Sequence, residues 1–276
     1  MSEKLTSYEI ALVQMHFEFL DREGNLQKAE SAIREAAAHG AKLICLPEAF
    51  DTGYIGVRVA EMMAIALPEE NEALDRISAV AAQCGVHVLA PMLCKMPAGG
   101  VENRAYLIDD EGKLLGFYTK THLVNAERGT LIRGTEYPVF DTKLGKLGIS
   151  ICYDLRFPEP SRIMALKGAQ VLLVSAAWRD IPHNKEWWDT KISCRAMDNL
   201  IYVAAVNMCG PTGEFRFSGK SQLCDPFGER LCECGITDET ILYGHIDLDR
   251  INDVRACNAT MEDRHPEDYS LICQIN

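Results

Sequence analysis

Apolar positions along the chain follow two rhythms. Continuous β-type runs recur at 8–15 (YEIALVQM), 41–48 (AKLICLPE), 86–95 (VHVLAPMLCK), 147–152 (LGISIC), 170–178 (QVLLVSAAW) and 201–210 (IYVAAVNMCG), and each predicts a buried strand. Between them lie stretches with helical spacing: 26–40 with Asn25 as its predicted cap and Gly40 as its stop, 68–85 with an acidic first turn, 161–169, and 184–200. Two β-type runs flank Asp109 to Gly112 within 104–120, and a second turn signal lies at Asp225 to Gly228, so both predict hairpins. Residues 240–256 predict a last strand and a short helix, and about 257–276 a polar C-terminal arm. Alternating strands and helices with intervening hairpins imply an α/β chain with mixed sheets.

The stretch 147–160, LGISICYDLRFPEP, concentrates the chemistry. Its apolar run delivers Cys152 to a corner, and Pro158 and Pro160 followed by SRIMALKGA predict a helix start. At such a corner, unpaired backbone N–H groups and the positive end of a helix dipole favour a thiolate and an oxyanion. A buried structural cysteine is the ordinary alternative. Two further polar residues, Glu48 and Lys120, also stand where an apolar strand runs out. Singly, a carboxylate after Pro47 is a loop cap and a lysine at a strand end is a solvated charge.

Composition narrows the class. With 276 residues, 47% hydrophobic and 25% charged, the chain has enough apolar material for a sizeable core, and no linker divides it. A net charge of -12 and a pI near 5.1 argue against nucleic acid or an anionic membrane surface as partner. No apolar run reaches bilayer-spanning length and the first residues lack a signal-peptide core, so the expectation is a cytoplasmic protein. The eleven cysteines sit mostly inside apolar runs, which suits reduced, packed thiols. Cys232 and Cys234 lack a second ligand pair at zinc spacing, and the seven histidines are scattered, so no metal is expected. Without GxGxxG or GxxxxGK[ST] after a strand, nucleotide cofactors lose their main support, and none is expected.

The three motifs together, LPEAF around Glu48, YTKTHL around Lys120 and GISICYDLRFPE around Cys152, resemble those of the nitrilase, or carbon-nitrogen hydrolase, superfamily in the order Glu, Lys, Cys. Supporting segments WDTKISCRAMDNLIYVAAVN and GKSQLCDPFGE extend the resemblance over nearly the whole chain. It implies one domain over 1–276, a four-layer αββα sandwich of two mixed β-sheets flanked by helices, and a homodimer or higher homo-oligomer. It also implies a Cys-Glu-Lys hydrolase with a thioester intermediate. A free thiol near pKa 8.5 is mostly protonated at neutral pH, so Cys152 needs Glu48 as base or Lys120 as a positive neighbour. Lys120 and the backbone N–H of Tyr153 would hold the tetrahedral oxyanion.

By the same resemblance Glu127 orients Lys120 and substrate, while Trp178, Arg179 and Tyr54 line the substrate pocket. Asp154 and Arg156 are expected to support the elbow, with pairing to each other or contact with the substrate as alternatives. His122, next but one to Lys120, is a weaker candidate base because the cysteine signature of papain-like enzymes is missing. Cys152-Tyr153-Asp154 resembles amidases and carbamoylases of the superfamily, where nitrilases proper read Cys-Trp-Glu. The expected activity is therefore hydrolysis of a small ω-amide with release of ammonia. An N-carbamoyl amine or amino-acid amidohydrolase, a nitrilase and a non-catalytic scaffold are the alternatives, and the joint presence of Glu48, Lys120, Glu127 and Cys152 argues against the scaffold.

Overall fold

The computed structural model describes residues 4–213 and 215–274. In chain order the first half comprises β1 (Ser7–Gln14), α1 (Arg22–Ala38), β2 (Leu43–Cys45), α2 (Val59–Ala64), β3 (Leu67–Pro68), α3 (Glu72–Cys84), β4 (His87–Lys95), β5 (Val101–Ile108) and β6 (Leu114–Thr119). The second half comprises β7 (Val139–Thr142), β8 (Gly145–Ile151), α4 (Pro158–Leu166), β9 (Val171–Ala176), α5 (Asn184–Asn199) and β10 (Tyr202–Asn207). It ends with β11 (Cys209–Thr212), β12 (Phe215–Ser218), β13 (Gln222–Cys224), β14 (Arg230–Glu233), β15 (Thr240–Asp247) and α6 (Asp249–Cys257).

Two mixed sheets form the centre. The first runs β15-β1-β2-β4-β5-β6, with β3 pairing beside β4, and the second β14-β13-β10-β9-β8-β7. Strand β1 shows why they stack. It is apolar on both faces, and its alternation sends Ile10 and Leu12 into the core shared with Ile149 and Leu173 of the second sheet, whereas Ala11 and Val13 meet Ile33 of α1 and Ile77 of α3. Helices α4 and α5 cover the other outer face through Met164, Trp188 and Ile192. The result is the four-layer αββα sandwich, with polar side chains gathering where strands of both sheets run out.

Local departures from the sequence pattern have physical causes. Helix α1 starts one turn earlier than predicted, because the Asp21 side chain accepts from the Gly24 N–H and acts as cap. Asn25 lies inside the helix instead. Its amide takes the Glu18 N–H (2.8 Å) and donates to the carbonyls of Glu18 (2.7 Å) and Asp51 (3.1 Å), tying two loops together. The predicted helix 68–85 begins only at Glu72, capped by Asn71, since Leu67 and Pro68 pair with β4. The strand predicted at 201–210 ends at Asn207, and Cys209 starts the separate β11–β12 hairpin.

The Asp109–Gly112 turn forms as predicted. Gly112 is required there, because at φ +79° a Cβ would sit 2.6 Å from the Ser78 carbonyl oxygen. Beyond α6, described residues of the expected arm form two short 3₁₀ turns with Leu271 and Ile272 exposed, and residues 275 and 276 lie outside the described residues. Among the described residues no helix is long and apolar enough to cross a membrane.

Candidate active site

Strand ends from both sheets converge on Cys152. It follows β8 directly and adopts φ +47°, a left-handed conformation that a side chain with a Cβ takes only at a cost of about 1–3 kcal/mol and only where its surroundings enforce it. Glu48 lies just past β2 and is followed by Ala49 at φ +48°, a second such position. Lys120 follows β6, its backbone N–H held by the Asn103 carbonyl across the sheet at 2.9 Å. Glu48, Lys120 and Glu127 are all at most 1% exposed, and Cys152 is 8% exposed at the floor of a cavity.

The polar groups form one chain of hydrogen bonds. Lys120 Nζ donates to Glu48 Oε1 at 2.7 Å and to Glu127 Oε1 at 2.8 Å, leaving one of its three hydrogens uncommitted. Glu48 Oε1 also accepts from Asn103 Nδ2 (2.8 Å), and Oε2 accepts the Ala177 N–H (3.0 Å). Glu127 is held by the Tyr54 hydroxyl (2.9 Å) and the Val124 N–H (3.0 Å). Fixed donors on every carboxylate leave little freedom for either acid to turn.

Electrostatics follow from this burial. Burial acts to lower the Lys120 pKa, but the charges of Glu127 and Glu48 outweigh it and hold the ammonium well above its usual range. The Cys152 thiol is pushed well above the ordinary range, by burial first and then by Glu48, against the lowering effect of Lys120. This corrects the expectation of a corner that favours thiolate. The five residues Cys152–Arg156 form a short 3₁₀ turn and α4 starts only at Pro158, so the N-terminus of α4, with its larger dipole, does not open at the sulfur. Burial and the Glu48 carboxylate thus both favour the protonated thiol over the thiolate.

Asp154 does not pair with Arg156. It is fully buried and accepts from the Ile151 N–H (3.1 Å), the Tyr118 hydroxyl (2.8 Å), the Thr121 hydroxyl (3.0 Å) and the His122 N–H (2.8 Å), with His122 Nδ1 at 2.9 Å. It thereby fastens the segment after β6, which carries Lys120, to the elbow, which carries Cys152. His122 is engaged by this carboxylate and stacks on Phe157 at 3.9 Å.

Arg156 turns the other way. Its guanidinium donates to Asn184 Oδ1 (2.7 Å) and lies over the rings of Trp187 (4.5 Å), Trp178 (5.1 Å) and Tyr153 (5.4 Å). The cavity above Cys152, about 450 Å³, is lined by Tyr54, Tyr153, Arg156, Trp178 and Arg179 among others. Trp178 is 3% exposed and donates its indole N–H to the Asn184 carbonyl (2.8 Å), so it is a rigid wall. Arg179 stacks on Phe215 at 4.0 Å at the rim.

A family model for carbon-nitrogen hydrolases matches residues 9–256. The chain belongs to the carbon-nitrogen hydrolase family. Omega-amidase NIT2 of Homo sapiens is 32% identical over 264 residues, covering 91% of this chain and 92% of that protein. The structure of Saccharomyces cerevisiae Nit3, a member of branch 10 of the nitrilase superfamily, superposes with a TM-score of 0.85 at 28% identity, over 93% of this chain and 97% of that one. A glutamate-to-glutamine mutant of the amidase from Nesterenkonia sp. AN1, with the acetamide moiety of fluoroacetamide added covalently at its active site cysteine, superposes with a TM-score of 0.82 at 28% identity over 94% of both chains. This carbon-nitrogen hydrolase is thus an amidohydrolase acting on C–N bonds other than peptide bonds.

Sequence inspection alone passes over three residues that this hydrolase uses to build the site. Asn103 and the Ala177 N–H grip Glu48, and Asn207 fixes the Trp178 backbone from both sides, accepting its N–H at 2.7 Å and donating to its carbonyl at 3.3 Å. A signal existed for Asn103. It shares the inward face of β5 with Ala105 and Leu107, where a polar side chain needs a buried partner.

Proposed function

We propose that this hydrolase cleaves a small linear amide that carries a carboxylate at its far end, an ω-amide, through an acyl-enzyme on Cys152. The observation that carries the chemistry is the buried Lys120 bridging Glu48 and Glu127 beside Cys152, whose ionisation burial and Glu48 both oppose. Glu48 takes the thiol proton as sulfur attacks the amide carbonyl carbon. The uncommitted hydrogen of Lys120 and the Tyr153 backbone N–H receive the developing oxyanion, where one such donor is commonly worth about 3 kcal/mol of barrier. Glu48 then returns its proton to the departing nitrogen, which leaves as ammonia. In the second half it deprotonates a water that attacks the thioester, giving the carboxylic acid and restoring the thiol. Lys120 stays charged throughout.

The carboxylate end is inferred from Arg156. Among the described residues no ion pair engages it; its one side-chain hydrogen bond goes to the neutral Asn184 Oδ1, and its Nε is buried without a partner. A guanidinium left in this state beside a cavity suits an anionic ligand group. The omega-amidase name of the human relative points the same way. An N-carbamoyl amino acid presents the same pair of groups, a carbonyl to sulfur and a carboxylate to arginine, and belongs in the same test. We further propose a homo-oligomer, for which the exposed Leu271 and Ile272 supply apolar surface, and analytical ultracentrifugation reads it directly.

The test is ammonia release from the purified protein with ω-amides, unsubstituted aliphatic amides, N-carbamoyl amino acids and nitriles, alongside mass spectrometry of Cys152. Turnover of carboxylated amides, an acyl mass on the Cys152 peptide and complete loss in Cys152→Ala are expected. Substantial activity in Cys152→Ala, or turnover of nitriles alone, refutes the assignment.

A further inference from the structure

We propose that Asn103 is a positioning residue that dictates which oxygen of Glu48 receives the Cys152 proton. The inference rests on the reading of Glu48 as the base.

A carboxylate offers about four lone-pair directions, two on each oxygen. On Glu48 Oε1 both are taken, by Lys120 Nζ at 2.7 Å and Asn103 Nδ2 at 2.8 Å. On Oε2 only one is taken, by the Ala177 N–H at 3.0 Å. The remaining direction on Oε2 is the one left for the thiol hydrogen. Asn103 therefore closes off the wrong oxygen. Its orientation is unambiguous, since an ionised carboxylate only accepts and the amide must present its NH₂ to it.

Asn103 is also well placed to do this rigidly. It is fully buried, and its carbonyl accepts the Lys120 N–H at 2.9 Å. One residue thus fixes the lysine through its backbone and the carboxylate through its side chain. Its Oδ1 has no hydrogen-bond partner among the described residues, so a polar group is kept buried here at a cost that stability alone does not repay. An apolar side chain of similar shape would avoid that cost. The hydrogen bond to Glu48 supplies the reason for an amide.

The surrounding charges are few. Glu48, Lys120, Glu127, Tyr54 and Cys152 make up the cluster, and on the opposite face of β5 Arg104 is paired with Glu102 and Glu69. Asn103→Leu removes the donor at every pH. Asn103→Asp, nearly isosteric, donates to Glu48 only while protonated and repels it once ionised.

The experiment measures kcat and KM for a carboxylated amide from pH 5.5 to 9 in wild type, Asn103→Leu, Asn103→Asp and Glu48→Gln. A loss of about 10- to 100-fold in kcat is expected for Asn103→Leu, the scale of a misplaced catalytic group, with KM changed less than about threefold. The activity of Asn103→Asp relative to Asn103→Leu should fall as pH rises. A flat ratio between the two variants, or Asn103→Leu within about threefold of wild type, overturns the role. If Asn103→Leu does not fold, the pH dependence of Asn103→Asp against wild type decides. Should Glu48→Gln keep the wild-type kcat for the amide, the base assignment itself falls. Should Glu48→Gln be slow and Asn103→Leu normal, only the role of Asn103 falls.

Discussion

Glu127 is the residue whose removal separates stability from chemistry most sharply. Its carboxylate is fully buried, 2.8 Å from Lys120 Nζ, and also accepts from Tyr54 and Val124. At an effective dielectric near 20, a contact of that length is worth roughly 6 kcal/mol of gross attraction, most of it offset by desolvation. Glu127→Leu therefore breaks a buried pair and should cost about 3–5 kcal/mol. Glu127→Gln keeps an acceptor for Lys120 and Tyr54 but turns its NH₂ toward the Val124 N–H, leaving one misdirected donor at about 1–3 kcal/mol. At about 2–4 °C per kcal/mol for a chain of this size, Tm should drop by roughly 6 °C for Gln and 12 °C for Leu.

Chemistry moves differently. The Glu127 charge helps raise the Cys152 thiol, so its loss should make alkylation by iodoacetamide faster near pH 8, while amide turnover falls about 100-fold because Lys120 is no longer aimed at the oxyanion. Scanning calorimetry, alkylation rates and kcat on the same preparations read all three. Alkylation and turnover falling together, or Gln proving costlier than Leu, would refute this account of the site.

Other perturbations address specificity and pH. Arg156→Leu should raise KM for carboxylated amides about 10- to 100-fold, from loss of a charged hydrogen bond, while unsubstituted amides change less than about threefold; steady-state kinetics on both series decide it. Trp178→Phe keeps a ring but loses the hydrogen bond to the Asn184 carbonyl, and should shift the kcat/KM ratio between long and short amides by about tenfold. An unchanged ratio means the wall does not select. Burial pushes the Cys209 and Cys234 thiols up to about 12, above the unfolded value near 8.5, so their contribution to stability is complete below pH 8.5 and lost as pH rises toward 12. Urea unfolding under reducing conditions should show these two thiols costing up to about 1.4 kcal/mol each per pH unit across that window, and the buried thiols of Cys45 and Cys152, also pushed up, steepen the loss. A midpoint that does not move between pH 8.5 and 10 would contradict it.

How far the site was legible depended on whether a residue interrupts a pattern. Glu48, Lys120 and Cys152 each end an apolar run, so the strand rhythm itself marks them, and the αββα layering follows from strands such as β1 that are apolar on both faces. Glu127 sits in a loop between β6 and β7, where no periodicity singles it out, and only the family resemblance did. Asn103 breaks an alternation that has meaning only once the inward face of β5 is known. Asp21 and Asn25 are both good caps four positions apart. The choice between them is made by Glu18 and Asp51, residues brought together by the fold.

The misread corner at Cys152 has the most consequence for chemistry. Two prolines suggest a helix start, but local sequence does not reveal the 3₁₀ turn that precedes α4, nor that the sulfur lies at the buried end of an inter-sheet layer. Had the helix end faced the sulfur, it would favour a standing thiolate, and Glu48 would serve only the leaving group and water. Burial and Glu48 both oppose ionisation, so the proposed mechanism couples formation of the thiolate to transfer of its proton to Glu48. In that proposed mechanism, activation of the nucleophile and protonation of the leaving nitrogen depend on one carboxylate. The three donors that orient Glu48, from Lys120, Asn103 and Ala177, would then bear on both of its half-reactions together.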